Sequence, residues 1–281
     1  MPSATRAGEG ANAPVPVGVR RGRAAAPALK GAAGVLCLFL AWQASVPLVG
    51  LEPYFYPSPL DVLRAFTDLV RKGILPVYVG DSLLRYGAGI LLGTLTGVTM
   101  GLLVGLNQGV ARLLGPTINF LFAIVEVAWI PIFVLWFGYG IETILIALTY
   151  VVFFPILYNT ILGVRTAPQV YVNATLSLGA SRRQVLSHVI LPSALPNILT
   201  GFRVGAGFAF RGLIFAEIIA AKSGIGYLIF EGVSTHQTDR TIVGMILMGC
   251  LWLLIDQVYL KPFERATVER WGAVVSAERR Q

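Results

Sequence analysis

Six long apolar runs divide the chain into segments that can each cross a lipid bilayer as one helix. A helix rises about 1.5 Å per residue, so roughly 20 apolar residues cross about 30 Å of hydrocarbon. The runs lie at 31–51, 82–106, 114–137, 141–164, 197–221 and 242–260. Because hydrocarbon offers no partner to free backbone groups, they predict an all-α integral membrane fold with six transmembrane helices. The composition agrees, with 56% hydrophobic and only 13% charged residues.

Lysine and arginine are distributed unequally between the two sides that these spans define. One side carries Arg6, Arg20, Arg21, Arg23, Lys30, Arg112, Arg165, Arg182, Arg183, Lys261, Arg265, Arg270, Arg279 and Arg280. The other carries Arg64, Arg71, Lys72, Lys222 and Arg240. The excess of positive charge predicts that the first side, with both termini, is cytoplasmic. The net charge of +8 is thereby explained as a topology signal, and it gives little support to nucleic-acid binding.

The two ends of the chain differ from the region between them. Residues 1–30 are rich in Ala, Gly, Pro and Arg, which predicts a disordered, basic cytosolic tail. The transmembrane domain is expected at 31–262 and a second cytosolic tail at 263–281. A cleaved signal peptide is an alternative for the first apolar run, but its removal would leave an odd number of spans, so we favour an uncleaved helix.

The long polar interval 165–196 separates the fourth and fifth spans and is expected to face the cytosol. Thr166 and Gln169 fit a capping box for a first short helix. Gly179 can supply the left-handed residue that ends this helix. The first half of the interval therefore predicts a helix that stops at a glycine elbow.

A second short helix is predicted after the elbow. Ser181 and Gln184 fit another capping box, and Pro192 is expected to end the helix. The whole interval has the shape of a docking element, because a membrane protein that keeps such a segment outside the bilayer is expected to touch a soluble partner with it.

The same interval resembles the cytoplasmic coupling loop of bacterial ABC importer permeases. That pattern is Glu-Ala-Ala, three residues, Gly, nine residues, Ile, any residue, Leu, Pro. Its spacing is occupied here by Asn173, Ala174, Thr175, Gly179, Val189, Leu191 and Pro192, and Ala180 and Ser181 adjoin the glycine. The chain departs from the pattern at Asn173, which replaces the acid, at Thr175, which replaces the second alanine, and at Val189, which replaces isoleucine.

Two flanking blocks narrow the resemblance to the nitrate, sulfonate and taurine permease family. They are residues 129–140 (WIPIFVLWFGYG) and 217–227 (EIIAAKSGIGY). The resemblance covers about 57–271. It implies a fold like that of type I ABC importers, with no catalysis on this chain.

The resemblance also implies partners and a location. The permease would act as a homodimer in the bacterial inner membrane, with two cytosolic ATPase subunits that bind ATP and Mg²⁺ and with a substrate-binding protein outside. The solute would be a small anion such as a sulfonate, taurine, nitrate or bicarbonate. A heterodimer and a host without an outer membrane stay open at this point.

The residues themselves contain no catalytic or metal-binding constellation. The chain has no phosphate-binding glycine loop, no His-Glu-x-x-His sequence and no Cys-x-x-Cys pair. Its histidines, His188 and His236, fall in loops on opposite sides, and Cys37 and Cys250 both fall in predicted spans. We therefore expect no enzyme activity, no metal and no cofactor on this chain.

Ionisable residues within the spans are the clearest functional signals, because such groups cost free energy in hydrocarbon unless they are paired or hydrated. Glu126 lies in the third predicted span, and Arg211 and Glu217 lie in the fifth. Arg203 and Asp256 are near enough to the cytosolic surface to snorkel or to pair there. Glu217 matches a glutamate of the family pattern, whereas relatives typically have proline and an apolar residue in place of Glu126 and Arg211.

Two roles for Arg211 stay open from the sequence. It either neutralises Glu126 or Glu217 within the bundle, or it lines a translocation path and attracts an anionic solute. Glu126, Arg211 and Glu217 are therefore the candidate path residues.

Two further patterns concern packing. The second span carries glycine at every fourth position, at Gly89, Gly93, Gly97, Gly101 and Gly105. This favours tight packing within the bundle over a subunit contact, and the drift of the stripe around the helix predicts more than one close neighbour. Pro131 and Pro155 predict kinks in the third and fourth spans.

A helix outside the spans is predicted after residue 57. Ser58 is expected to cap it and Gly73 to end it. An apolar face of Leu63, Phe66, Leu69 and Val70 is expected to lie on the bundle or at the membrane interface.

Two other classes of protein are alternatives. A secondary transporter or channel without an ATPase would be expected to show midplane acids and repeat symmetry, neither of which is evident beyond Glu126. A membrane enzyme would need clustered His, Asp or Glu, which the chain lacks.

Overall fold

The computed structural model describes residues 25–50, 52 and 55–264, and the described part of the chain is helical with connecting turns. It divides into two compact units after Val49. The first unit holds one described helix, α1 (Ala25–Val49). The helix begins six residues inside the predicted disordered tail, because alanine has the highest helix propensity and proline is tolerated in a first turn. Residues 1–24 and 265–281 of the predicted tails lie outside the described residues.

The second unit is a bundle whose longest helices are the expected spans. Its α-helices are α2 (Pro59–Arg71), α3 (Ile74–Leu106), α4 (Gln108–Ala123), α5 (Ile130–Phe137), α6 (Ile141–Arg165), α7 (Gln169–Ser177), α8 (Arg182–Val185), α9 (Leu191–Ala220), α10 (Ile225–Ser234), α11 (Thr238–Ile255) and α12 (Lys261–Glu264). A 3-10 turn (Glu126–Trp129) precedes α5, and π turns (Leu186–Ile190 and Asp256–Leu260) precede α9 and α12. The centre of the bundle is α6, which packs on α3 and on α9.

The number of described helices that can cross a membrane is smaller than six. Four are long and apolar enough, and a bent pair makes a fifth if it is one span. The remaining predicted span falls in α1, where the described apolar stretch Cys37–Leu48 is shorter than the others. Six spans therefore stay a prediction.

The third predicted span is broken. Helix α4 ends at Ala123, Ile124 and Val125 are extended, and the following segment Glu126–Phe137 turns away by 91°. The break precedes Pro131, where we predicted only a kink. The proline lies in the first turn of α5, where its missing N–H is not needed. The Leu121 carbonyl at the break accepts from the Ile124 N–H at 3.2 Å and from the Tyr150 hydroxyl at 2.6 Å.

The glycine stripe of α3 packs on α6, which confirms packing within the bundle. A Cβ atom added at Gly89, Gly93, Gly97, Gly101 or Gly105 would meet Leu148, Val152, Ile156, Thr160 or Val164 at 2.5 to 3.0 Å. The expectation of more than one neighbour is therefore wrong. The α6 residues that meet the glycines also recur every four positions. Glycines at this spacing, which is longer than one helical turn of about 3.6 residues, stay against the same partner when the two helices cross with a right-handed twist.

The helix after residue 57 is capped as predicted but buries a different face. The Ser58 side chain and Asp61 form a capping box, and Gly73 has a φ of +71°. The Ser58 hydroxyl donates to the Asp61 carboxylate at 2.7 Å, which lowers the pKa of that carboxyl. The buried residues are Pro59, Val62, Ala65 and Leu69, whereas Leu63, Phe66 and Val70 are exposed. Helix α2 packs on α3 and α11 through the first stripe, so its second apolar stripe points outward.

Substitution of a stripe glycine tests the α3–α6 contact. We expect Gly93→Ala to lower the free energy of unfolding by about 1–3 kcal/mol, because the new methyl group meets Val152 Cβ at 2.5 Å. Gly87→Ala is the matched control, since no atom lies within 4 Å of its added Cβ. Thermal unfolding of the purified proteins in detergent gives the comparison, and equal stability of the two variants would contradict the close contact.

Candidate functional site

The first candidate site is the elbow between α7 and α8. Gly179 has a φ of +84°, and its N–H donates to Leu176 O at 2.9 Å. The Ala180 N–H donates to Thr175 O at 3.2 Å, which completes a Schellman motif. The left-handed glycine elbow is thus present as predicted.

One predicted cap of this loop is confirmed and the other is wrong. Ser181 forms a capping box with Gln184, and the Ser181 N–H donates to Gln184 Oε1 at 2.8 Å. Thr166 does not cap α7, because its hydroxyl donates back to Leu162 O at 2.8 Å and Pro168 is the N-terminal cap residue. A threonine within reach of the preceding helix turn is satisfied there before it can cap the next helix.

Pro192 does not end the second helix, contrary to prediction. The helical segment runs from Arg182 to Ala220 without a break and includes the fifth span. The π turn Leu186–Ile190 lies just before the proline, and the Leu191 N–H donates to Leu186 O. In this wider turn the N–H groups donate to the carbonyl five residues earlier instead of four. The hydrogen-bond pattern changes just before Pro192, which has no N–H, and the helix continues past the proline. The second half of the predicted coupling loop and the fifth span are therefore one helical rod.

Helix α7 contacts mainly α8 and the π turn Leu186–Ile190 among the described elements, and most of its surface is open. None of its residues is buried, and Asn173 and Ala174 are exposed. Val170 and Leu178 are 75% and 89% exposed, and with Ala174 they follow the four-residue spacing of one helix face. The later pattern residues Val189, Leu191 and Pro192 are less exposed, because the rod begins to enter the bundle there.

The second candidate site is a buried polar cluster at the far end of α9, formed by Asp81, Ser82, Arg85, Glu217 and Ser223. The Glu217 carboxylate is fully buried. Arg85 Nη1 donates to Glu217 Oε1 at 2.8 Å, and the Ser82 hydroxyl donates to the same carboxylate at 2.8 Å. Arg85 also donates to Ser223 O, and the Ser223 hydroxyl donates to Asp81. The cluster joins α3, α9 and the turn after α9.

The turn after α9 is built around Glu217. The Gly226 N–H donates to Glu217 Oε2 at 2.9 Å, and the Ile225 N–H donates to Ser82 Oγ at 2.9 Å. Gly224 has a φ of +115°, and a Cβ atom there would lie 2.4 Å from Glu217 Oε1. The absence of a side chain at Gly224 and at Gly226 therefore allows the backbone of this turn to lie against the buried Glu217 carboxylate.

Glu217 is thus paired inside the protein and does not line an open path in this conformation. Its arginine partner is Arg85 and not Arg211, which excludes Glu217 as the acid that Arg211 neutralises. Sequence reasoning missed Asp81, Ser82 and Arg85. A usable signal was present, since Asp81 and Arg85 are four residues apart near one end of a predicted span, as Glu217 is in another.

The side chains of Glu126 and Arg211 have no ion pair or hydrogen bond within the described part of the chain. Arg211 is exposed on the same side of α9 as Val204, Phe208 and Phe215. Glu126 is half-buried and lines a pocket of about 230 Å³ together with Phe208. Asp256, in contrast, pairs with Lys261 at 2.8 Å near the predicted cytosolic surface.

The described residues contain no group of three or more His, Cys, Asp or Glu that could hold a metal ion.

Comparison with known proteins gives the family. Residues 89–260 match the binding-protein-dependent transport system inner membrane component family. The chain belongs to this family. The permease is 34% identical over 230 residues to the taurine transport system permease protein TauC of Escherichia coli (strain K12), covering 79% of this chain and 83% of TauC.

A second relative and a solved structure agree with this assignment. The permease is 37% identical over 215 residues to the putative aliphatic sulfonates transport permease protein SsuC of E. coli (strain K12), covering 76% of this chain and 82% of SsuC. It shares the fold of the inward-facing MetNI methionine ABC transporter, with a TM-score of 0.53, 17% identity, and coverage of 67% of this chain and 95% of that chain. The fold is that of a type I ABC importer permease.

The Glu217 cluster predicts unequal effects of two amide substitutions. We expect Glu217→Gln to lower the free energy of unfolding by about 3–5 kcal/mol, because it leaves the Arg85 charge enclosed without its main partner. Asp81→Asn should cost less than about 1 kcal/mol, because the Asp81 side chain is 36% exposed and lies 4.0 Å from Arg85. Thermal unfolding in detergent measures both, and a larger loss from Asp81→Asn would contradict the described pairing.

Proposed function

We propose that this permease forms a homodimer that imports a small acidic solute, with ATP hydrolysed by two cytosolic partner subunits. Membership of the family supports the ATPase partners and an outer substrate-binding protein. ATP and Mg²⁺ would be held by the ATPases, and this chain would have neither a cofactor nor a catalytic reaction of its own. The names of TauC and SsuC favour a sulfonate or taurine over nitrate or bicarbonate.

The observation that carries the proposal is the exposed elbow at Gly179. Val170, Ala174 and Leu178 form one exposed apolar face at α7 and its C-terminal end, which fits a groove on a soluble subunit. Asn173, Thr175, Ala180, Ser181, Val189, Leu191 and Pro192 are the other proposed members of this coupling loop. The rod from Arg182 to Ala220 links this contact to the fifth span, so movement of the ATPase would tilt the span.

The translocation path is proposed to run along the face of α9 that carries Arg211. An arginine exposed to hydrocarbon at the centre of a span costs about 2.5–3.5 kcal/mol on insertion scales. An unpaired arginine on this face is therefore more stable next to a second copy of the chain and a hydrated path than next to lipid. Arg211 would attract the anion, and Glu126 would share the path. Glu217 would support the path from behind rather than line it.

The orientation follows from the distribution of lysine and arginine. We propose a multi-pass protein of the bacterial inner membrane with both termini in the cytosol. In a chain with Cys37 and Cys250 replaced by alanine, a cysteine at Ser181 should react with an impermeant thiol reagent only from the cytosolic side. A cysteine at Ser234 should react only from the outside, since both serines are exposed. Labelling of both positions from the same side would disprove this topology.

Substitution at the elbow tests coupling. We expect Gly179→Val to weaken co-purification of the ATPase and to abolish uptake, because a β-branched residue in the left-handed region costs about 1–2 kcal/mol and displaces the second helix. Membrane insertion should be unchanged, since the loop lies outside the bilayer. Pull-down of the ATPase and solute uptake are measured in parallel.

Two controls accompany this test. Gly115→Val places the same side chain in α4 with no atom within 4 Å of the new Cβ, and it should preserve both activities. Ser181→Ala removes only a helix cap and should cost about 1 kcal/mol. A Gly179→Val permease that still binds the ATPase and transports would exclude this loop as the coupling element.

A further inference from the structure

The pocket at the break between α4 and α5 combines one carboxylate with several aromatic rings. Its lining includes Glu126, Phe122, Tyr150, Phe154 and Phe208. A cation is attracted by the faces of aromatic rings and by a carboxylate, and both are strongest where water is scarce. The volume of about 230 Å³ suits a small ligand group and not a macromolecule.

The aromatic walls are held in place by their own contacts. The Tyr150 hydroxyl donates to Leu121 O at 2.6 Å, which fixes the ring to the end of α4. Phe154 lies edge-on to Tyr150 with ring centroids 5.0 Å apart, and Phe122 lies 5.5 Å from Phe154. The walls therefore need little ordering when a ligand binds, which favours affinity.

Arg211 lies next to this pocket. It follows Phe208, a lining residue, by three positions on α9, and residues at this spacing are neighbours on one helix face. Both side chains are exposed, so the helix spacing places Arg211 beside the pocket, although it is not one of the lining residues, while Glu126 lines the wall. Neither charge has an ion pair in the described part of the chain. A positive group and a negative group thus flank one small aromatic cavity.

We propose that this pocket is a solute subsite for a short zwitterion, in which Glu126 and the aromatic rings take an ammonium group and Arg211 takes a sulfonate or carboxylate. The inference rests on the proposed function and narrows its solute, among those it names, to the zwitterionic ones and away from plain anions such as an unsubstituted sulfonate, nitrate or bicarbonate. A plain anion would meet Arg211 but would also meet the repulsion of Glu126. A zwitterion satisfies both charges at once.

The test compares two probes that differ in one group. The purified permease–ATPase complex in detergent is titrated with 2-aminoethanesulfonate and with ethanesulfonate, and ligand-induced thermal stabilisation gives each Kd. We expect the amino compound to bind about tenfold more tightly or better, in line with a hydrogen-bonded charge pair. Glu126→Gln should abolish this preference and leave ethanesulfonate binding unchanged, whereas Glu126→Asp should retain part of it. Arg211→Leu should weaken both probes.

Controls separate this subsite from two rivals. Glu142→Gln makes the same chemical change at an exposed carboxylate outside the pocket and should preserve the preference. Restored uptake in the exchanged variant Glu126→Arg/Arg211→Glu would show that the two charges serve each other, within one chain or between two copies, and would overturn the proposal. Equal binding of the two probes by the unaltered complex would also overturn it.

Failure of the importer function would appear differently. Loss of ATPase co-purification from the unaltered permease would contradict the proposed function. The preference between the two probes would still be measured on the permease alone, where it decides the subsite independently.

Discussion

The bundle depends on the close approach of α3 to α6. In lipid, the hydrophobic effect does not drive helices together, because the lipid tails are as apolar as the side chains. Helices therefore associate through van der Waals contact and hydrogen bonds between them. Five glycines remove every side chain from one stripe of α3 and let the backbone lie against the side chains of α6. Helix α6 then presents its other face to α9, where Gly201 and Gly205 again allow near contact. The position of the candidate path helix is set by this stack.

The bundle treats its membrane-level charges in two ways. Glu217 is enclosed and receives hydrogen bonds from Ser82, Arg85 and the Gly226 N–H, so its desolvation is offset within the chain. Glu126 and Arg211 are left accessible and without an ion pair among the described residues. The first arrangement fixes a turn, and the second is typical of groups that meet something mobile. This contrast distinguishes the structural acid from the two candidate path charges better than position along the chain does.

Sequence reasoning succeeded where the cause is local. The glycine elbow and the Ser181 cap depend on residues within four positions, and both are present. It failed where a distant residue decides. Helix α3 begins at Ile74 rather than at residue 82, and the charged residues of its first turns have partners more than 130 positions away: Arg85 pairs with Glu217, and Asp81 accepts from the Ser223 hydroxyl. At the two prolines the sequence signalled a disturbance but not its form: the third span breaks before Pro131 instead of kinking, and a π turn lets the helix continue through Pro192.

The unbroken rod from Arg182 to Ala220 has a mechanical consequence. Its 39 residues measure about 58 Å at the usual rise of a helix. If the rod moves as a rigid body, a tilt of about 10° about one end displaces the other end by about 10 Å. The fulcrum would be the contact with α6 near Gly201, at the middle of the rod, so a displacement of the loop end would give an equal and opposite displacement of the far end. Bending of the helix at the π turn beside Pro192 would reduce the movement that the rod transmits.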